Sequence, residues 1–192
     1  MNKRNSDIKY KVIDNFLDEK YFNSLVTLFT AEGRTGNNET PWFLQTSIVD
    51  DTTVEGNLFY MGCVIYDGNA PLSPPHYEAL IPLFKKLEAK VLIRVKANLF
   101  PNTHILHEHP MHIDYDFFHS AAILSLNTCD GYTKLKDGTK IDSIANRVLF
   151  FDASEEHSST TTTNVPARIN IGINYAHTDS LFHPQAEHDK KG

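Results

Sequence analysis

Cysteine is scarce in this chain: among 192 residues there are two, Cys63 and Cys129, in separate apolar contexts. They form no Cys-x-x-Cys pair, so a zinc knuckle or thiol redox motif is unsupported, and both are expected to be buried free thiols. No apolar run approaches the roughly 20 residues that a membrane-spanning helix needs, and the start, MNKRNSDIKYKV, lacks the apolar core of a secretion signal. A cytoplasmic, reducing setting without membrane contact is the expectation. Positive charge is not in excess either, since the formal net charge is −6 and the pI about 5.9. That weighs against a general electrostatic grip on nucleic acid and leaves only a local basic groove open. There is no internal repeat, and no serine or cysteine stands in a nucleophile motif, so a hydrolytic triad is unsupported.

What is present is ordinary for a globular chain, with 41% hydrophobic and 22% charged residues. The length suits one substantial core, hence a single domain over 1–192 with a polar tail at 178–192. Residues 8–17 alternate as a first strand, with Asp18 as cap of an amphipathic helix that carries Phe22, Leu25, Val26 and Phe29. A short strand is expected near Trp42 and another over 57–66. Ser73-Pro74-Pro75 then reads as a helix start with serine as the cap, and Pro82 should kink or split that helix. Both helices are expected outside one sheet. From Val91 the period becomes two: Val91, Ile93, Val95, Ala97 and Leu99 lie on one face, and Leu92, Arg94, Lys96, Asn98 and Phe100 on the other. The second face is either solvent-exposed or lines an anion-binding site. Further strands are expected at 121–127, 132–136, 139–143, 147–152 and 168–175, with Asp137-Gly138 as a two-residue hairpin turn. Many short strands with turns between them point to a double-sheet jelly roll. Residues 34–56 and 101–111 are expected to be lids.

The chemistry is concentrated between His112 and Arg168. His112-Ile113-Asp114 places two metal-ligand types two apart, on one side of an extended strand. His157 follows 45 positions after His112, directly after the RVLFFD strand, and Arg168 comes 11 later at the head of a strand with Asn170 on its face. Two histidines and a carboxylate leave coordination positions open on a metal, the arrangement of non-haem Fe(II) oxygenases. Ten histidines invite false sets. His177-Thr178-Asp179 has no later strand to return a second histidine. His104, His107 and His109 read as solvated loop residues, with a surface metal tract or a pocket-rim place for His107 or His109 as alternatives. His119 is expected in the core or behind the metal ligands.

The pattern His112-x-Asp114, His157, Arg168-x-Asn170 resembles the Fe(II)- and 2-oxoglutarate-dependent oxygenase superfamily, and AAILSLN, DGTKI and RVLFFD resemble its prolyl-hydroxylase-like branch. The likeness spans about 91–177. It implies a mainly β fold with flanking helices (α+β), a double-stranded β-helix, or distorted jelly roll, with the N-terminal helices packed outside the major sheet. It implies Fe(II) on His112, Asp114 and His157, 2-oxoglutarate as cosubstrate held by Arg168 and Asn170, and dioxygen as oxidant. Asn98 resembles the asparagine of an Asn-x-Tyr signature in the nucleic-acid demethylase branch, although position 100 is Phe. Collagen-type prolyl hydroxylases carry Lys where this chain has Arg168, which disfavours that sub-branch. The implied activity is hydroxylation of a C–H bond with release of succinate and carbon dioxide. A peptide or protein residue, or a small metabolite, is favoured over nucleic acid as substrate. A cupin-like metal-binding protein or isomerase that does not use 2-oxoglutarate is the alternative, and Arg168-x-Asn170 separates the two.

Overall fold

The computed structural model describes residues 10–30, 40–46 and 58–176, and the expected tail and His177-Thr178-Asp179 lie outside them. The chain is mainly β. Among the described residues two helices, α1 (Glu19–Thr30) and α2 (Pro74–Lys86), accompany eleven strands. These are β1 (Tyr10–Ile13), β2 (Phe43–Gln45), β3 (Tyr60–Asp67), β4 (Ala70–Pro71), β5 (Val91–Pro101) and β6 (Ser120–Ser125). Then follow β7 (Tyr132–Leu135), β8 (Lys140–Asp142), β9 (Val148–Asp152), β10 (His157–Ser158) and β11 (Ala167–Ala176). A large antiparallel sheet runs β1-β9-β6-β11-β5-β3-β2, with β4 on β3, and a small sheet runs β10-β7-β8. No described helix is long and apolar enough to cross a membrane.

Alternation along the strands of the large sheet sorts the molecule into two compartments. Ile169, Ile171, Ile173 and Tyr175 of β11 and Val95 and Ala97 of β5 join Leu25 and Phe29 of α1 and Leu80, Leu83 and Phe84 of α2 in the main core. Burying such side chains stabilises by roughly 1.5–3 kcal/mol each, which is why both helices lie against this face. A smaller cluster of Ala121, Leu135, Ile141, Leu149 and Phe151 joins the opposite face to the small sheet. β5 departs from the expected alternation at its start. Asn174 pairs with Arg94 but Tyr175 pairs with Leu92, so a bulge at Ile93 turns Leu92 to the helix side, away from Arg94.

Local corrections have local causes. The first strand is shorter than expected because Asn15 takes φ 51°, and Phe16 and Leu17 turn into the core. There the side chain of Asn146 accepts from the Leu17 N–H (2.8 Å) and donates to the Leu17 carbonyl (2.8 Å). Asp18 caps α1 as expected, its carboxylate accepting from the Tyr21 N–H at 3.2 Å. Ser73 does not cap α2 with its hydroxyl, which is engaged with His76 Nδ1 at 2.7 Å. The turn between β7 and β8 is not a two-residue hairpin. Gly138 N–H donates to the Leu135 carbonyl and Leu135 N–H to the Thr139 carbonyl, so three residues form the loop, with Gly138 at φ 87°. Cys63 and Cys129 are free and buried.

Pro82 does not split α2, which runs unbroken from Pro74 to Lys86. The Tyr21 hydroxyl of α1 donates to the Ala79 carbonyl (2.8 Å) and accepts from the Leu83 N–H (3.3 Å), groups that a regular helix joins directly. Burial raises this phenol to a pKa of about 12, so it stays a donor. Tyr21→Phe is expected to cost about 1 kcal/mol and lower the melting temperature by about 2–4 °C, measured by thermal unfolding followed by circular dichroism.

Candidate metal centre and cavity

His112, Asp114 and His157 converge, their candidate ligand atoms all lying within 4.8 Å of one another. The Nε2 atoms of His112 and His157 stand 4.0 and 3.9 Å from the two carboxylate oxygens of Asp114. The segment around His112 is not the regular strand that the spacing suggests. It is an extended stretch fastened at points: His112 and His157 exchange both backbone hydrogen bonds at 2.9 Å, and Asp114 N–H donates to the Ala153 carbonyl at 3.1 Å. Those bonds, rather than a ladder, bring the three side chains to one side.

Each imidazole is oriented in the same way. His157 Nδ1 lies 3.2 Å from the Glu155 carbonyl and His112 Nδ1 3.4 Å from the Pro110 carbonyl, two residues back in each case. A proton on Nδ1 serves the carbonyl, and the Nε2 lone pair is left for a metal. Burial pushes His157 below the usual imidazole range, with the Asp114 charge opposing, so it is neutral at pH 7. Burial alone would raise the Asp114 carboxyl. His157, the Asn174 amide, Arg94 and His112 outweigh that and hold it below the ordinary carboxylate value. A neutral imidazole and a carboxylate are the forms that bind a divalent ion.

Behind Asp114 stands a chain that sequence reasoning missed in part. Asn174 Nδ2 donates to Asp114 Oδ2 at 2.7 Å and lies 3.0 Å from His119 Nε2, while His119 Nδ1 lies 2.8 Å from the Phe117 carbonyl. One His119 tautomer satisfies every contact: Nδ1–H donates to the carbonyl and Nε2 accepts from the amide. His119 thus lies behind a metal-ligand candidate, one of its two expected places. Asn174 was visible only as a polar position on the Arg168 face of β11.

The cluster opens on a cavity of about 390 Å³ whose wall includes Arg94, Lys96 and Asn98 of β5, Asn170 and Asn174 of β11, and Thr133 of β7. The polar face of β5 is therefore the wall of a cavity and not a solvated surface. Asn98 Nδ2 donates to Asn170 Oδ1 at 3.1 Å. Arg168 lies just behind the wall: it is 1% exposed, its guanidinium donates to Thr133 Oγ1 (2.9 Å) and the Thr160 carbonyl (3.3 Å), and it lies 5.6 Å from the Phe100 ring centroid. Gly131 makes room for its stem, since a Cβ there would fall 2.7 Å from Arg168 Cδ. Burial lowers its pKa to about 10, so it remains charged at pH 7. Among the described residues no carboxylate pairs with it within 4.0 Å. An uncompensated buried charge costs several kcal/mol, so this arrangement calls for an anion.

The loop histidines divide. His104 is exposed at φ 58°, but His109 is 3% exposed, against the reading of a solvated loop histidine. Its ring packs 5.2 Å from Phe100 and its Nδ1 lies 2.7 Å from Ser159 Oγ, because parts of residues 102–112 are hydrogen-bonded to 157–162. The expected lid at 34–56 lies mostly outside the described residues. Among the described residues the buried side-chain polar atoms without a partner are Arg94 Nε, His109 Nε2, Ser158 Oγ and Arg168 Nε. Arg94 and Ser158 line the cavity, and His109 and Arg168 pack on Phe100, which lines it too. Unsatisfied buried groups gathered at one cavity mark a ligand site.

Replacing Asn174 by Ala is expected to weaken divalent-metal binding by about 10–100-fold with the fold retained, as measured by Mn(II) titration. Burial, then the Arg168 charge, lower the pKa of His109 from 6.5 to about 4. Unfolding exposes it to protonation, so its contribution is full above pH 6.5 and is lost as pH falls toward about 4, with His157 acting in the same direction. Metal-free wild type is expected to lose up to about 3 kcal/mol through His109 over that window, and His109→Gln to show a shallower fall of melting temperature with pH.

No protein-family model and no curated protein matches the chain. Solved structures do. A Pseudomonas putida prolyl-4-hydroxylase superposes with a TM-score of 0.54 at 15% identity, over 89% of this chain and 94% of that one. A prolyl hydroxylase of Trichoplax adhaerens, in complex with a hypoxia inducible factor oxygen degradation domain peptide fragment, gives 0.55 at 15% identity over 88% and 83%. A non-haem alpha-ketoglutarate-dependent epimerase from nogalamycin biosynthesis gives 0.58 at 12% identity over 87% and 77%. At such identities the likeness is one of architecture: this chain has the fold of the 2-oxoglutarate- and Fe(II)-dependent oxygenases, prolyl hydroxylases among them.

Proposed function

We propose that the chain is an Fe(II)- and 2-oxoglutarate-dependent dioxygenase that hydroxylates a substrate C–H bond, and that its two sheets form the double-stranded β-helix of one oxygenase domain over 1–192. The observation that carries this reading is the pairing, at one cavity, of a two-histidine, one-carboxylate cluster with a fully buried guanidinium just behind the cavity wall that has no counter-ion among the described residues. The donor set fits Fe(II), with its neutral imidazole and ionised carboxylate, and leaves positions for other ligands. The orphaned Nε of Arg168 and the charge itself fit the carboxylate of 2-oxoglutarate remote from the metal.

Bound Fe(II), 2-oxoglutarate and dioxygen together supply the oxidising power, with the cosubstrate leaving as succinate and carbon dioxide. The protein holds and orients. His112, Asp114 and His157 would hold the metal, and Asn174 and His119 keep the Asp114 carboxylate turned toward it. Arg168 and the Thr133 hydroxyl, with Asn170 and Asn98 along the wall, would fix the cosubstrate. Phe100 and Phe151 keep that part of the cavity apolar. No residue need act as a general acid or base. A cupin-like protein or an isomerase working without 2-oxoglutarate would have no use for Arg168.

Exposed Met111, Ile113, Phe117 and Phe118 lie in the segment that carries His112 and Asp114. They suit a substrate with apolar surface, and the peptide complex of the Trichoplax enzyme supports a peptide or protein residue, with a small metabolite as the other candidate. A cytoplasmic setting suits a ferrous centre and two free thiols.

Anaerobic addition of Fe(II) and 2-oxoglutarate is expected to produce a weak visible charge-transfer band. Asp114→Ala and His157→Ala should abolish it. Arg168→Ala should weaken 2-oxoglutarate binding by at least about 30-fold, the equivalent of losing about 2 kcal/mol from a buried charge pair. A folded wild type without the band, or an Arg168→Ala variant that binds 2-oxoglutarate as wild type does, would overturn the assignment.

A further inference from the structure

β5 turns two more cations into the cavity than the proposed chemistry uses. Arg94 and Lys96 both line it, and among the described residues neither has a carboxylate within 4.0 Å. Arg94 Nε is buried with no partner. Lys96 Nζ donates to the Tyr60 hydroxyl at 2.6 Å, and Tyr60 and Gln45 stand in the same wall. The sheet makes room for this ammonium: a Cβ on Gly62 would fall 2.6 Å from Lys96 Cε. Burial, then the Arg94 charge, lower the pKa of Lys96 to about 8, so the two cations are held together against their repulsion.

A count of charge, which rests on the oxygenase reading, sharpens the point. Fe(II) is offset by Asp114 and the metal-side carboxylate of 2-oxoglutarate, and the remote carboxylate by Arg168. The loaded centre is then neutral, and among the described residues Arg94 and Lys96 remain without a counter-charge of their own in the wall of this partly open cavity. Asn174 pairs with Arg94 across β11 and β5, and Asn174 holds Asp114, so Arg94 sits at the level of the metal cluster. Arg168 lies six positions along β11, paired with Phe100. The spare charge therefore lies where the reacting bond must be presented, away from the guanidinium assigned to the cosubstrate. A guanidinium and an ammonium on one face bind an oxyanion by charge-assisted hydrogen bonds.

We propose that Arg94 and Lys96 form a substrate subsite for an oxyanion, so that the substrate is an anionic compound or residue bearing a carboxylate or phosphate near the C–H bond that reacts. Neutral prolyl segments and neutral metabolites are then poor substrates. In a cavity of about 390 Å³ that also takes the cosubstrate, only a small molecule or a single inserted side chain fits beside the metal.

The test uses the full chain loaded with Mn(II) and 2-oxoglutarate under nitrogen, so that binding is read without turnover. Calorimetry compares matched probes: N-acetyl, C-amide forms of aspartate and asparagine, glutamate and glutamine, and phosphoserine and serine. At least one anionic member should bind about tenfold or more tightly than its neutral counterpart. Arg94→Gln and Lys96→Gln should each erase that preference while 2-oxoglutarate affinity stays within about twofold of wild type, which also reports that the variants fold. The carboxylate and phosphate pairs separate the two oxyanions.

Equal binding of charged and neutral members, or no binding of any member by protein that binds 2-oxoglutarate, would overturn the subsite. So would variants that lose 2-oxoglutarate affinity instead, because the two cations would then serve the cosubstrate. Wild type that takes no 2-oxoglutarate at all would overturn the oxygenase reading first, and the charge count with it.

Discussion

Two adjacent antiparallel strands, β5 and β11, lie in register at the centre of the large sheet, and their side chains alternate between a greasy and a polar compartment. Val95, Ala97, Ile169, Ile171 and Ile173 anchor the sheet to the helices. The residues between them, Arg94, Lys96, Asn98, Asn170 and Asn174, are thereby obliged to face the other way, into the cavity. Slipping either strand by one residue would place apolar side chains beside the candidate metal cluster and a guanidinium in the apolar core. The stability of the scaffold and the polarity of the site are thus set by one geometric fact.

The candidate metal cluster draws on parts of the chain that are far apart in sequence. His112 and Asp114 come from an irregular segment, His157 from a two-residue strand, and Asn174 from the end of β11. What joins them is backbone pairing of His112 with His157 and a side-chain chain from the Phe117 carbonyl through His119 and Asn174 to Asp114. Every donor in that chain has one acceptor, so the carboxylate is held before any metal arrives. The opposite condition holds around Arg94, His109, Ser158 and Arg168, where polar atoms are left without partners. Polar groups that are satisfied define the frame, and those left unsatisfied define where a ligand would bind.

Much of this was legible beforehand. Period-two stretches at β5 and β11, apolar spacing in α1 and α2, and the apolar run of β9 report burial directly, because an exposed-to-buried rhythm is a property of local sequence. The grouping of His112, Asp114 and His157 was legible because two imidazoles and a carboxylate at those intervals make up a matched set of ligand types. Features controlled by a distant partner were not legible. His109 looks solvated beside Pro110 but is covered by Phe100 and Ser159. Pro82 should break a helix, but the Tyr21 hydroxyl bonds the Ala79 carbonyl and the Leu83 N–H beside it. Leu92 should face the cavity but is turned by a bulge that the pairing of β5 with β11 introduces.

By itself the sequence determined that there would be two faces to the central strands, which residues lie on each, and which side chains have the chemistry of a metal and an anion. Tertiary structure decided which of these meet. It placed Asn174 against Asp114, left Arg168 without a counter-ion among the described residues and brought Arg94 and Lys96 into the same cavity wall. The reason is physical: periodicity is written into neighbouring residues, whereas charge balance and hydrogen-bond satisfaction depend on groups brought together from far along the chain, as Asp114 and Asn174 are.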